Sequence, residues 1–383
     1  MGGSFILSEE EKMIRQMTRQ IAKERLAPRS AEIDQSGEFP WDIFEVYKEN
    51  QLLAMPVPVE YGGGGATLTA CSIAVEEFAT ECVNSSHLLA SHWLASEGVL
   101  LGCLTEEQKK RFYPLIGEHL LAWSLTEPNH GSDVATLDTT AVEDGDYYVI
   151  NGMKCFCTDA HVADYIVVLA QTDPNARPAH GISAFMVDKK NNPGIHIGKL
   201  EDMMGMRGTR ACEVILEDCK IHKDDMLYKK NEGFILGMKV FDRTRCVDAA
   251  VSVGIAQGAF NAAKDYSKQR VQFGKPISEL QAIRFKLADM AINIEAARNL
   301  VYRACSLIDE GELDPMVSSM ANCFATDMAM QVTTDAIQTI GGPGYMRDFP
   351  VERLFRAAKL MQIVEGTNEI QRVVISNNLM KRQ

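Results

Sequence analysis

The chain has no apolar run long enough to cross a bilayer, no Cys-x-x-Cys pair and no surplus of basic residues. Each absence removes a class of protein. A helical membrane span needs about 20 consecutive apolar residues, so none is expected here. The ten cysteines, scattered without paired spacing, read as reduced thiols. That suits a bacterial-type cytosol or a matrix-like space, as does the lack of an arginine-rich leader or a secretory apolar segment. The Asn84-Ser85-Ser86 sequon therefore reads as chance. A net charge of −13 argues against a protein that tracks nucleic-acid phosphates, which is usually basic, although local basic pockets for a phosphorylated ligand remain compatible with it.

Strand-helix alternation is also missing. What is present is 383 residues, 46% hydrophobic and 24% charged, enough for a large core and two or three domains. Three textures follow one another, and they suggest domains over 1–120, 121–230 and 231–383. The first is helical. Ser8 with Glu11 forms a capping box, Met13, Ile14, Met17 and Ile21 share a helical face, and Pro28 marks the exit; Thr105 with Gln108 repeats the box. The glycine run at 62–65 has neither a preceding strand nor a following Lys-Ser/Thr, so it reads as a connection to a helix starting near Thr67.

The period then becomes two. Thr139 to Glu143, a turn at Asp144-Gly145, Tyr147 to Ile150 and a further turn at Asn151-Gly152 read as strands joined tightly. Tyr165 to Ala170, Gly181 to Val187 and Glu213 to Glu217 add three more, giving a small antiparallel barrel or sandwich. From Gly233 onward helical spacing returns over Leu236–Lys268, Ile277–Asp309, Pro315–Ile340 and Pro350–Met380, which suggests a four-helix bundle. The fold class is thus α+β and multidomain: helical, then β, then helical. That order excludes a doubly wound nucleotide fold, so Gly341-Gly342-Pro343-Gly344-Tyr345, lying between helices, is no dinucleotide fingerprint. It is either a helix stop or a place where exposed amides meet a flat or phosphorylated ligand.

Three further segments carry chemistry. Trp123 to Asp133 mixes hydroxyls, glycine and proline just before the strands and reads as an ordered loop with outward hydrogen-bonding groups. In Lys154 to Asp159, Phe156 and Thr158 fall on one face of a strand, suited either to the core or to stacking on and hydrogen bonding to a planar ring. Near the end, Val364-Glu365-Gly366-Thr367 sets a glycine inside a helical stretch, where it costs roughly 1 kcal/mol relative to alanine. Gly366 should break the helix and present Glu365, as a general base or as a solvated helix-end carboxylate.

Together these segments resemble the acyl-CoA dehydrogenase family over essentially the whole chain. Leu125-Thr126-Glu127-Pro128 with Gly131-Ser132-Asp133 is similar to one family signature. Gln338 to Tyr345 with Val364 to Thr367 is similar to another. Phe241 to Arg245 and Arg270 to Pro276 match two more in order. The resemblance implies a non-covalent FAD and a homotetramer built from dimers. It assigns Trp123, Leu125, Thr126, Phe156 and Thr158 to the flavin ring, Phe156 standing where the family generally has tryptophan. Ser132 falls in the cofactor loop and, with Asp242 and Arg245, is expected to hold the acyl-CoA. Arg270, Gln272 and Phe273 would reach the neighbouring subunit's FAD, with Gln338, Gly341 and Gly342 supplying the dinucleotide end from across the interface, while Thr367 and Glu369 would touch the cofactor's phosphate and ribose region.

The implied reaction is α,β-dehydrogenation to the trans-2-enoyl-CoA: Glu365 takes the α-proton while a β-hydride passes to flavin N5. The family's other location for the base corresponds here to Thr244, which cannot serve. Val364 replaces the tyrosine that often precedes the base, leaving room near the reacting carbons, and with Gly366 it is expected beside the substrate. A helix around His87 to Gly98 should line the acyl cavity, with His92 as a contact, although His87 and His92, five apart, diverge around the helix. The expected substrate is a short, branched, cyclic or dicarboxylic acyl-CoA. Decarboxylation is disfavoured because that helix has no arginine. An electron-transferring flavoprotein is the implied partner. Set against this stand an oxidase or enoyl-CoA-reducing relative, a flavin-free scaffold of the same fold, and a nicotinamide enzyme, which would need a strand-first glycine fingerprint.

Overall fold

The computed structural model describes residues 7–381. Six helices open the chain: α1 (Glu9–Ile21), α2 (Ser30–Ser36), α3 (Trp41–Glu49), α4 (Leu68–Glu81), α5 (Val83–Gly102) and α6 (Glu106–Glu118). Both capping boxes form as read, at Ser8/Glu11 and Thr105/Gln108. Pro28 does not end the first helical stretch. The backbone keeps coiling through a π turn at Ala22–Leu26 and a 3-10 turn at Ala27–Arg29 into α2, where the left-handed Gly37 stops it. Proline is tolerated in a first turn because its missing N–H would be unpaired there anyway. The apolar stripe of α1 is also rotated from the expected one. Met13 is 65% exposed, whereas Thr18 is buried, its hydroxyl donating to Ile14 O at 2.8 Å.

The middle of the chain forms one eight-stranded, mostly antiparallel sheet. Its strands are β1 (Leu121–Ser124), β2 (Thr140–Asp144), β3 (Tyr147–Thr158), β4 (Tyr165–Gln171), β5 (Ile182–Asp188), β6 (Ile195–Leu200), β7 (Ala211–His222) and β8 (Met226–Leu227). The order is β6-β7-β3-β2-β4-β5-β8, with β1 parallel to β4. The hairpin turn at Asp144-Gly145 is present, but Asn151-Gly152 is not a turn. β3 runs through it, and the register against β7 slips there as a bulge. β1, buried at all four positions, shows no alternation for the sequence to betray.

α7 (Gly233–Gln269), α8 (Gln281–Asp309) and α9 (Pro315–Ile340) follow, with an exposed hairpin of β9 (Val271–Gln272) and β10 (Lys275–Pro276) between the first two. The fourth helical stretch is not one helix. It divides into α10 (Val351–Met361) and α11 (Asn368–Lys381), and Glu365 stands in the gap. α7 runs through the centre of the molecule and packs on α4, α5, α8, α9 and α10. Its approach to α4 is set by small residues: a Cβ on Gly254 would lie 2.3 Å from Glu76 O and 2.6 Å from Ala79 Cβ. Gly254→Ala should therefore cost about 1–3 kcal/mol by overpacking two rigid backbones. A lower thermal midpoint would show it, with Gly131→Ala, whose Cβ has no neighbour within 4 Å, as the near-neutral control.

Candidate active site

The gap between α10 and α11 is a turn of two left-handed residues, Glu365 at φ 51° and Gly366 at φ 94°. Glycine adopts this backbone freely, but glutamate does not, at a cost of order 1 kcal/mol or more that surrounding bonds must offset. They do so from two sides. Arg245 Nε on α7 donates to Glu365 O at 3.2 Å, and Gln371 Nε2 on α11 donates to Glu365 O at 3.2 Å and Gly366 O at 2.8 Å. Asn368 N closes the turn onto Gln362 O at 3.1 Å.

Held this way, the Glu365 carboxyl points inward rather than into solvent. Thr244 Oγ1 donates to Glu365 Oε2 at 2.9 Å. Burial pushes the carboxyl well above the usual range and the charge of Asp248 adds to the rise, while the Thr244 hydrogen bond and the nearby Arg245 oppose it. The residue as a whole is half-buried, and its carboxyl is engaged by Thr244 rather than left to solvent as a helix-end carboxylate would be. Beside it Arg245 Nη1 pairs with Asp242 Oδ1 at 3.0 Å, both side chains mostly buried. Burial moves the Asp242 carboxyl up to about 6 in spite of its arginine partner. Val364 packs against the core.

A second group of side chains lies where β1 and β3 meet. Cys155 N donates to Thr126 O at 2.9 Å, and Lys154 Nζ donates to Leu125 O at 3.0 Å and Glu127 Oε1 at 2.7 Å. Glu127 also accepts from Asp138 N at 2.6 Å and Thr139 N at 3.0 Å, so a buried ion pair ties the loop down at both ends. Burial alone would raise the Glu127 carboxyl, but Lys154 and these donors hold it below its ordinary value. The loop thus brings Trp123, Leu125 and Thr126 to the strand that carries Phe156 and Thr158. A register slip between Lys154 and Cys157 turns Phe156 outward, at φ 55° and 65% exposed. The buried Trp123 Nε1 has no hydrogen-bond partner among the described residues.

Trp123 links the two groups. Its ring packs on Gly98, where a Cβ would come within 2.6 Å, and meets Phe241 edge-on at 6.0 Å; Arg245 lies 5.7 Å from the same Phe241 ring. The remaining residues stay apart within one chain. Ser132 is exposed. Arg270 and Gln272 are exposed, with Phe273 90% so, and Gln338, Gly341 and Gly342 are exposed at the end of α9. Thr367 caps α11, accepting from Ile370 N at 3.4 Å, and Glu369 is exposed in its first turn.

One sequence expectation fails here. His92 does not present its ring to an acyl chain: it is fully buried and its Nδ1 accepts from Leu121 N at 3.2 Å, so it supports β1. His87 is buried as well, its Nδ1 2.8 Å from Thr209 Oγ1. Burial lowers both imidazoles to about 4. Two residues escaped the sequence reading. Thr244 draws notice in the sequence only for not being a carboxylate, and Asp248 follows it by four positions, a helical spacing without meaning until Glu365 is known to face it.

Models of the acyl-CoA dehydrogenase N-terminal, middle and C-terminal domains match residues 8–118, 122–219 and 231–380. The chain is 43% identical over 380 residues to cyclohexane-1-carbonyl-CoA dehydrogenase of Geobacter metallireducens, covering 98% of this chain and 99% of that one. This chain belongs to the acyl-CoA dehydrogenase family. It is also 42% identical over 384 residues to a 3-(aryl)acrylate reductase of Clostridium sporogenes, covering 98% and 100%. The solved butyryl-CoA dehydrogenase of Megasphaera elsdenii superposes with a TM-score of 0.96 at 36% identity, covering 99% and 100% of the two chains. Members of this family are oxidoreductases, and the helical, β and helical order expected from the sequence is that of the family fold. No described helix is long and apolar enough to cross a membrane, and all ten cysteines are unpaired and buried.

The Thr244 hydrogen bond favours the ionised form of Glu365, so removing it should raise that carboxyl's proton affinity further. A hydrogen bond to a charged group is worth about 1.5–3 kcal/mol, and about 1.4 kcal/mol corresponds to one pH unit. Thr244→Val should therefore move the ionisation of Glu365 upward by roughly one pH unit or more. Infrared titration of the protonated carboxyl band measures this.

Proposed function

We propose that the protein removes the α-proton of an acyl-CoA thioester with Glu365 and so forms the trans-2-enoyl-CoA. The observation that carries this reading is the inward-facing Glu365 carboxyl on Thr244, at the end of a turn whose backbone Arg245 fixes. A thioester α-proton is weakly acidic, so its base must be aimed, and a base of raised proton affinity in a dry site is better matched to it. The backbone N–H of Glu365 is free of the bonds described above and serves as a donor to the thioester oxygen as charge develops there. Arg245, with Asp242 and Ser132, holds the polar part of the acyl-CoA.

The β1–β3 group suits a flavin. An outward phenylalanine offers a stacking face, Thr158 a hydroxyl, and the unpartnered Trp123 Nε1 a buried donor awaiting an acceptor. Bound FAD would supply the two-electron acceptor for the β-hydride. Thr367 and Glu369 would meet its phosphate and ribose region. The exposed Arg270, Gln272 and Phe273, and Gln338, Gly341 and Gly342, fit contacts made across the interface of a homotetramer, since such apolar exposure as that of Phe273 is otherwise unaccounted for. An electron-transferring flavoprotein would then reoxidise the enzyme.

The acyl group is short, branched, cyclic or dicarboxylic. Val364 leaves the space beside the reacting carbons without a ring. Arg243 reaches from α7 to α5 and pairs with Glu97, Nε to Oε2 at 2.8 Å, so this guanidinium is already engaged. A relative bearing the name of a cyclohexane-1-carbonyl-CoA dehydrogenase supports a cyclic substrate. One bearing a reductase name supports, as a second reading, the reverse reaction with Glu365 as proton donor.

Anaerobic bleaching of the flavin by butyryl-, isobutyryl-, cyclohexanecarboxyl-, benzylsuccinyl- and glutaryl-CoA tests both parts. Glu365→Gln should slow bleaching by at least ~10²–10⁴-fold while acyl-CoA still perturbs the flavin spectrum. Bleaching of the variant at the wild-type rate would move the base elsewhere. Conversion of glutaryl-CoA to crotonyl-CoA and carbon dioxide as the best reaction would refute the reading that the enzyme does not decarboxylate.

A further inference from the structure

Next to the base stands a second carboxyl group that the reaction just described leaves idle. Asp248 lies on α7 four residues beyond Thr244, so the two side chains occupy neighbouring places on one face of the helix, and Thr244 holds Glu365. Asp248 is 6% exposed. The hydrogen bond made at this residue belongs to its backbone carbonyl, which accepts from Ser252 Oγ at 3.0 Å; among the described residues no cation or donor pairs with its carboxyl. An ionised carboxylate left so would be costly, and neutralisation is the usual escape.

The surroundings favour that escape. The charged or titratable groups acting on Glu365 are Asp248, Arg245 and Cys246, all from α7. Arg245 is already paired with Asp242. From α9 comes Asn322, whose Nδ2 donates to Arg245 O at 3.3 Å, and from α11 Gln371; neither titrates. Asn322 Oδ1 and Gln371 Oε1 are both buried with no hydrogen-bond partner among the described residues. A protonated carboxyl has a hydrogen to give, and an ionised one has none.

We propose that Asp248 is a positioning residue for proton affinity: it and Glu365 hold one proton between them at neutral pH, so that Asp248 tunes the base without touching substrate. The functional meaning rests on Glu365 being the base; the sharing itself does not. Two like charges in a dry site cannot both form readily, as in other carboxylate pairs, and the charge of Asp248 raises Glu365. Burial alone lifts the Asp248 carboxyl to about 7, which places the exchange in the working range. When Asp248 carries the proton, Glu365 is ionised and can accept the α-proton. Once Glu365 is protonated, Asp248 can release its own.

The test is infrared titration of the protonated carboxyl bands in the FAD-loaded enzyme, comparing wild type, Asp248→Asn and Glu365→Gln. With Asp248 uncharged, Glu365 should ionise at a proton concentration about tenfold higher, and the rising limb of the flavin-bleaching pH profile should shift to lower pH by the same factor. In Glu365→Gln, Asp248 should likewise ionise at lower pH than in wild type. The sign carries over to stability: a carboxyl raised on folding loses stability as pH rises through its folded value, so Asp248→Asn should gain thermal stability over wild type with increasing pH. Unchanged Glu365 ionisation in Asp248→Asn would overturn the proposal. If that variant fails to fold, unchanged Asp248 ionisation in Glu365→Gln does so alone. Full bleaching by Glu365→Gln would instead remove the base assignment and leave the sharing to stand or fall on the infrared bands.

Discussion

The hydrogen bond from Thr244 to Glu365 joins the two parts of the chain on which the chemistry depends. One end sits on α7, the helix around which the molecule packs; the other sits in a turn that glutamate would not adopt unaided. Arg245, the next residue on α7, holds the same turn by its backbone. A single turn of one buried helix therefore fixes both the direction of the carboxyl and the conformation of its main chain. Because α7 is packed on five other helices, this anchoring is stiff, and a base that must be aimed at one carbon needs such stiffness.

The same economy governs the β1–β3 region. Lys154 and Glu127 are both buried, and such a pair seldom contributes net stability, because desolvation offsets most of the attraction. Its value here is positional. Glu127 takes two backbone N–H groups from the far end of the loop, and Lys154 takes the carbonyl of Leu125 at the near end. Loop and strand are thus held in one arrangement, with Phe156 outward and the Trp123 ring seated on Gly98. Trp123, Phe241 and Arg245 then carry that arrangement to Glu365.

Much of this was legible in the sequence where a residue was locally out of place. Gly366 in a helical stretch foretold the break that presents Glu365, and the capping boxes fixed two helix starts. What was not legible depended on partners distant in the chain. Asn151-Gly152 makes a turn when strands end beside it, but here β7 continues alongside and the dipeptide becomes a bulge. Met13 shares a helical face with apolar neighbours, yet the core lies on the side of Thr18, whose hydroxyl is satisfied by its own helix. His92 resembled a substrate contact until β1, four buried residues without alternation, arrived to use its ring nitrogen. Asp248 was silent for the same reason: its significance comes from a residue 117 positions away, by subtraction of 248 from 365.

The central claim is that Glu365 is aimed at the α-carbon of a bound thioester. The most direct measurement is a crystal structure of the FAD-loaded enzyme with an unreactive acyl-CoA analogue. The expected result is a Glu365 carboxyl oxygen about 3–3.5 Å from that carbon, still hydrogen-bonded to Thr244. A Glu365 carboxyl turned away from the thioester, with another carboxylate beside the α-carbon, would contradict it.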